Sequence, residues 1–221
     1  MWQNPKECLL NLFLPWDNLC CHCQRALVGT EHIVCRYCEV KLQQCVLTPL
    51  EQFSTHENLT LCISAFAYEE PVRQLIHHLK YHHNATIAPL LGWYMCTALL
   101  NSPAERQCDA VVPVPLHPSK LRQRGYNQAR LLARQIAECF RLTLRDDLLF
   151  RIKASISQTK RTAAERFTAM QGVFEASTQA TGLRILLVDD VLTTGATASA
   201  CAKALLDAGA AAVTLITACQ A

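Results

Sequence analysis

The stretch Val188-Asp189-Asp190-Val191-Leu192-Thr193-Thr194-Gly195-Ala196-Thr197 joins an apolar run to small residues suited to opening a helix. Its backbone N–H groups and the hydroxyls of Thr193, Thr194 and Thr197 converge where the helix dipole favours an anion, so the turn suits a phosphate. Asp189 and Asp190 stand at the C-terminal end of the run. That is where an open parallel sheet meets its ligands, and paired carboxylates there can take sugar hydroxyls or a metal ion. The bland alternative is an acidic strand end with threonine capping. A Walker loop is excluded, because no Gly-Lys-Ser/Thr follows.

A second group of chemistry-bearing residues lies near the N-terminus. Cys20-Cys21-His22-Cys23 and Cys35-Arg36-Tyr37-Cys38 form two C-x-x-C pairs. Two tight knuckles of this kind can bring four thiolates, from Cys20, Cys23, Cys35 and Cys38, onto a tetrahedral Zn²⁺. Cys8, Cys21, His22, His32 and Cys45 stand near enough to leave the ligand set open. The chain has 13 cysteines, an odd number. Six of them (Cys62, Cys96, Cys108, Cys139, Cys201, Cys219) are scattered through apolar segments as small buried hydrophobes would be. Thiols and metal ligands in a reducing compartment fit this better than a disulfide framework, which points to the cytoplasm.

Charge is the third signal. The net charge is +3, yet Pro115 to Arg166 holds 12 Lys and Arg against 4 Asp and Glu, so that stretch carries +8 and the rest −5. Its cations cluster as Lys120, Arg122 and Arg124, then Arg151 and Lys153, then Lys160 and Arg161, a pattern that collects phosphates. Tyr126, beside the first cluster, offers a ring on which a base could stack or which could pack inward. In His77-His78-Leu79-Lys80-Tyr81-His82-His83 no carboxylate or cysteine supports a metal site. The imidazoles there line a phosphate-binding face or end a helix, and Lys80 is a candidate ligand-facing cation.

The elements that must position these groups are legible in outline. With 221 residues, 51% hydrophobic, 18% charged and 7% aromatic, the chain is a folded globular protein able to bury a core. Residues 1–48 read as a small cysteine-rich, metal-stapled module short on periodicity, and 49–221 as an α/β domain. In that domain the patterns predict a strand at Leu61–Tyr68, a helix at Pro71–His82, a helix at Ile87–Leu100 and a strand at Asp109–Val114. After a basic loop come a helix at Gln128–Phe140 and an irregular cationic stretch. A βαβ unit closes the chain: strand Arg184–Asp190, helix Thr197–Ala208 and strand Ala212–Thr217. No apolar stretch reaches the ~20 residues of a spanning helix, and Glu7 argues against a secretory leader. Leu9–Trp16 covers the core or lies on a membrane surface.

The loop around Asp189 and Asp190 resembles the PRPP loop of type I phosphoribosyltransferases: four apolar residues, two acids and a Thr-Gly-rich turn. The resemblance implies that fold, with a central parallel sheet. It assigns Asp189 and Asp190 to the ribose hydroxyls of 5-phosphoribosyl 1-diphosphate (PRPP), and Thr193, Thr194, Gly195, Ala196 and Thr197 to its 5-phosphate, with Mg²⁺ on the diphosphate. A zinc knuckle ahead of such a domain is similar to the ComF family of competence proteins. Further segments match: Tyr68-Glu-Glu-Pro-Val-Arg-Gln-Leu-Ile, Leu79-Lys80-Tyr81, Val112-Pro-Val-Pro-Leu, Leu121-Arg122-Gln-Arg124-Gly125-Tyr126-Asn127-Gln128, and Ser157-Gln158-Thr159-Lys160 with Arg166 and Phe174. Two departures stand out. Ala169 lies where the family has an asparagine, and a second cysteine cluster is reduced to Cys45.

Membership implies a PRPP-binding protein of natural transformation that handles incoming single-stranded DNA on the cytoplasmic side, alongside other competence proteins such as a DNA helicase. It leaves peripheral attachment at the inner face of the membrane open. Lys80, Lys120, Arg122 and Arg124 are the candidate cations for diphosphate or DNA. The alternative function is a working phosphoribosyltransferase acting on a nucleobase or amine, although no residue pattern identifies an acceptor pocket.

Overall fold

The computed structural model describes residues 19–31, 33–48, 52–54, 56–81, 84–102, 104, 108–153, 170 and 172–221. Leu9–Trp16, Cys8, His32, His82, His83, Lys160, Arg161, Arg166 and Ala169 lie outside the described residues.

The organising element is a six-stranded sheet in the order β1-β2-β8-β7-β3-β4. Its strands are β1 (Phe53–Ser54), β2 (Leu61–Ala67), β3 (Ala110–Pro113), β4 (Thr143–Leu144), β7 (Arg184–Leu192) and β8 (Ala212–Gln220). All neighbouring pairs are parallel except β1 with β2. The Ile185-Leu-Leu-Val188 run of β7 lies between β3 and β8 and is buried throughout, as a central parallel strand covered on both faces must be.

Among the described residues six α-helices accompany this sheet: α1 (Arg36–Gln44), α2 (Val72–Tyr81), α3 (Ala88–Leu100), α4 (Pro118–Arg124), α5 (Gln128–Phe140) and α6 (Ala196–Asp207). Side-chain alternation along the strands divides the core in two. Leu186, Val188, Val111 and Ile216 pack with α2, α3 and α5, whereas Ile185, Leu187, Val112 and Leu215 pack with α6. The β3-to-β4 connection runs over the first face and the β7-to-β8 connection over the second, so the chain leaves β3 and β7 in opposite directions. The C-terminal ends of these two adjacent strands flank a topological switch point, where open α/β sheets form a crevice.

Several elements differ from expectation. The basic segment after β3 is not a loop. Pro118 suits the first turn of a helix, His117 Nδ1 accepts from the Ser119 amide, and Gly125 closes α4 in the left-handed region. The cysteine-rich segment also contains a helix, α1, which buries only Cys38 and Leu42 and so leaves little periodicity to read. The irregular cationic stretch includes a separate antiparallel pair, β5 (Leu149–Arg151) with β6 (Phe174–Ala176). Strands β7 and β8 run past the predicted ends, to Leu192 and Gln220.

The two longest helices of the first face cross closely. A Cβ on Gly92 of α3 would fall 2.7 Å from Cβ of Gln135 on α5, which leaves no room for it. Gly92→Ala is therefore expected to destabilise by about 1–3 kcal/mol through overpacking, despite the better helix propensity of alanine. A denaturant titration with an unchanged midpoint would show that the helices separate freely.

Candidate functional site

The crevice is built from the end of β7, the turn after it and the start of α6. The turn comprises Thr193, Thr194 and Gly195, with Gly195 at φ 74°. Met170, Asp189, residues 191–198, Leu215 and Thr217 line a pocket of about 190 Å³. The N-terminus of α6 opens onto it, so Thr193, Thr194, Gly195, Ala196 and Thr197 come together as the sequence suggests.

His56 is a member of this site that the sequence reading missed. A Cβ on Gly195 would stand 2.5 Å from its Nδ1, so the imidazole lies against the turn. The residue after it is tied to α6 by a hydrogen bond from the Ser199 hydroxyl to the Glu57 carbonyl. No periodicity marks a single histidine between two short elements; only the packing places it. Gly195→Ala introduces both a strained φ and a clash, with an expected loss of about 1–3 kcal/mol. The measurement is a melting curve together with the histidine NMR signals, and an unmoved His56 resonance would contradict the contact.

The two carboxylates part company. Asp190 has the strand parity of Leu186 and Val188, so it lies on the α2 face, where its Oδ1 is 3.0 Å from Lys80 Nζ. Burial opposes the charge on Lys80, but Asp190, with Asp189 behind it, raises its pKa above the ordinary lysine value. Asp189 has the parity of Ile185 and Leu187 and lines the pocket at the turn. Burial, and then the neighbouring Asp190 charge, push its pKa up to about 7, against the pull of the Asp190 amide, Lys80 and Arg151. The Asp190 amide donates to Asp189 Oδ1 at 2.9 Å.

Lys80 and Arg151 act on this pair directly, and Lys120 and Arg124 gather beside them. Lys120 is held below the usual lysine range by burial and by the like charges of Arg151, Arg124 and Lys80. Arg151 is lowered by burial, offset in part by Asp189. Lys80 and Arg124 therefore gather around Lys120. Arg122 is exposed and does not join them, because on a helix only positions three or four apart share a face. Arg151 takes its place. It was visible in the sequence as part of a cationic cluster, but its location depends on the β5–β6 pair, where its guanidinium lies 5.4 Å from the Phe174 ring centroid.

Tyr126 packs inward: it is half-buried, and its hydroxyl donates to the Leu79 carbonyl at 2.7 Å, which ties the α4–α5 junction to α2. The exposed ring beside the cations is Tyr81, 56% accessible, with the Arg124 guanidinium 5.0 Å from its centroid.

The cysteine cluster forms a second site. The Sγ atoms of Cys20, Cys23, Cys35 and Cys38 all lie within 4.8 Å of one another. That spacing fits the ~2.3 Å Zn–S bonds of a Cys₄ site, so the four residues could hold a metal such as zinc. The Glu31 carboxylate braces the knuckles by accepting from the Val28 and Arg36 amides and from Arg25. His22 Nδ1 lies 3.2 Å from Cys38 Sγ, placing it beside the cluster as a hydrogen-bonding neighbour.

Known proteins resemble this chain over most of its length. It is 27% identical over 212 residues to Competence protein F of Haemophilus influenzae, covering 92% of this chain and 90% of that one. It is 28% identical over 185 residues to Competence protein ComFC of Bacillus subtilis, covering 82% and 69%. To the DNA utilization protein YhgH of Salmonella typhimurium it is 30% identical over 161 residues, covering 72% and 71%. The chain belongs to the ComF family. No protein-family model matches it. Among the described residues of this ComF protein, no helix is long and apolar enough to cross a membrane.

Proposed function

We propose that this ComF protein acts in DNA uptake by binding PRPP with Mg²⁺ in the crevice at the C-terminal end of β7 and by handling single-stranded DNA along the adjoining basic surface. The observation that carries the reading is one crevice in which a threonine-rich helix start, a carboxylate pair and four cations meet. Its relatives are named competence and DNA utilization proteins, which supports the cellular role.

In this reading residues 49–221 are a type I phosphoribosyltransferase-like domain. Residues 193–197 take the 5-phosphate through amides and hydroxyls. Asp189 and Asp190 take the ribose. Lys80, Lys120, Arg124 and Arg151 offset the diphosphate charge, which Mg²⁺ shares when bound. Arg122 serves DNA phosphates from the exposed side of α4, and Tyr81 supplies a face for a base. Residues 1–48 form a zinc-stapled module that supports the fold. The site of action is the cytoplasm, with a DNA helicase among the competence proteins it meets.

Calorimetric titration with PRPP and Mg²⁺ tests the crevice. Saturable binding is expected in the parent chain, with at least a tenfold loss in an Asp189→Ala, Asp190→Ala double variant that still folds. Parallel titration of a labelled single-stranded oligonucleotide should show affinity falling as salt rises, because counterions are released from the strand. No heat with PRPP and no salt-sensitive DNA binding would remove the proposal.

A further inference from the structure

Next to the pocket at the turn lies a larger cavity of about 530 Å³, whose lining includes Leu47, Ser54, His56, Ala67, Glu69 and Leu192. The two share Leu192 and Thr193. His56, which lines the larger one, lies against Gly195 of the turn. They are neighbouring compartments separated by a single turn of chain.

Their chemistry differs. Among the described residues the larger cavity has no lysine or arginine in its lining. Leu47, Ala67 and Leu192 offer apolar surface, and its volume lies in the range of small-molecule sites. His56 and Glu69 bring hydrogen-bonding groups of both kinds, while the Ser54 hydroxyl is buried against the Cys62 thiol, its partner across β1 and β2. A flat heterocycle with an N–H edge matches that lining, and a sugar joins such a ring to a phosphate in the next compartment.

We infer that the two compartments together hold the 5′-terminal nucleotide of a single DNA strand, its 5′-phosphate at residues 193–197 and its base in the larger cavity. The inference rests on the reading of the turn as a phosphate site and extends it to DNA. A terminal phosphate suits this turn better than an internal one. It carries up to two charges and three free oxygens, for a turn that offers three threonine hydroxyls as well as a helix N-terminus. Lys120 and Arg124, gathered with Lys80 beside Asp190, stand ready for the phosphates that follow.

The test uses the zinc-loaded full chain and fluorescence anisotropy with one oligonucleotide sequence, labelled at its 3′ end. Three forms are compared: 5′-phosphate, 5′-hydroxyl, and 5′-phosphate with an abasic first residue. The expected result is at least tenfold tighter binding of the 5′-phosphorylated strand than of the hydroxyl form, with most of that advantage lost in the abasic form. Excess PRPP should erase the advantage and leave the residual, salt-sensitive binding. Ala67→Met, which fills the larger cavity, should likewise abolish the preference.

Equal affinity for phosphate and hydroxyl ends overturns the inference, as does an abasic strand that binds as well as the intact one. Binding of free deoxynucleoside 5′-monophosphate without any end preference in the strand assigns the compartments to free nucleotides and also overturns it. PRPP calorimetry alongside separates the two proposals. PRPP binding with no end preference removes only this inference, and end preference without PRPP binding removes only the PRPP reading.

Discussion

A Cys20→Ser, Cys38→Ser double variant is expected to melt well below the parent chain, in one transition that involves the whole α/β core. The cluster is not a detachable ornament. Cys20, Cys35, Cys38, Leu42 and Cys45 belong to the same buried cluster as α2, α3, α5 and the sheet. Behind α1 the chain runs on as sheet: the Leu47 amide donates to Ala65, and the Ala67 amide donates to Cys45. Structural zinc contributes on the order of 10–16 kcal/mol in small peptide modules, comparable to the ~5–15 kcal/mol that holds an entire domain together. Only part of that reaches the sheet, because the apolar packing around it remains. Calorimetry with metal analysis by mass spectrometry gives the readout. A chain that contains no zinc as purified, or whose melting is unmoved by a strong chelator, would dismiss the metal.

The second large effect is a pH-dependent gain from Asp189→Asn. The native carboxyl is raised to about 7, mainly by burial and then by Asp190, whereas an unfolded aspartate titrates near its ordinary value of about 3.9. Below about pH 4 both states are protonated and the group contributes nothing. Between about pH 4 and 7 the unfolded chain releases its proton and the native one retains it, so stability falls as pH rises. Above about pH 7 the loss is complete. Asparagine avoids it. The variant is expected to match the parent at pH 4 and to exceed it by at most about 4 kcal/mol at pH 8, or roughly 8–16 °C in a chain of this size. The same substitution should weaken PRPP binding, since a site that holds a buried charge for its ligand is less stable without it. Equal melting temperatures at pH 8 would show that Lys80 and Arg151 already neutralise the carboxylate.

The amount legible beforehand followed the range of the forces involved. The parallel strand at 184–190, the helix after it and the turn between them were readable, because an apolar run, three threonines and a glycine act on immediate neighbours. Helix α4 was not. Its buried side chains are too few for periodicity, and its evidence was a proline, a histidine cap and a glycine stop. The β5–β6 pair was hidden for another reason: two three-residue strands carry almost no pattern until they find each other across the chain.

By itself the sequence determined the spacing of four cysteines that could share a metal, a phosphate-suited turn at a strand end, and a surplus of positive charge close by. Those are properties of residue type and local order. Only the tertiary structure decided that Asp189 and Asp190 serve different faces, because a strand's two faces mean nothing until helices cover them. It also exchanged Arg122 for Arg151 among the cations, turned Tyr126 inward and left Tyr81 outside. His56 came to the phosphate turn in the same way, since its neighbours there stand about 140 residues along the chain and no local pattern spans that distance.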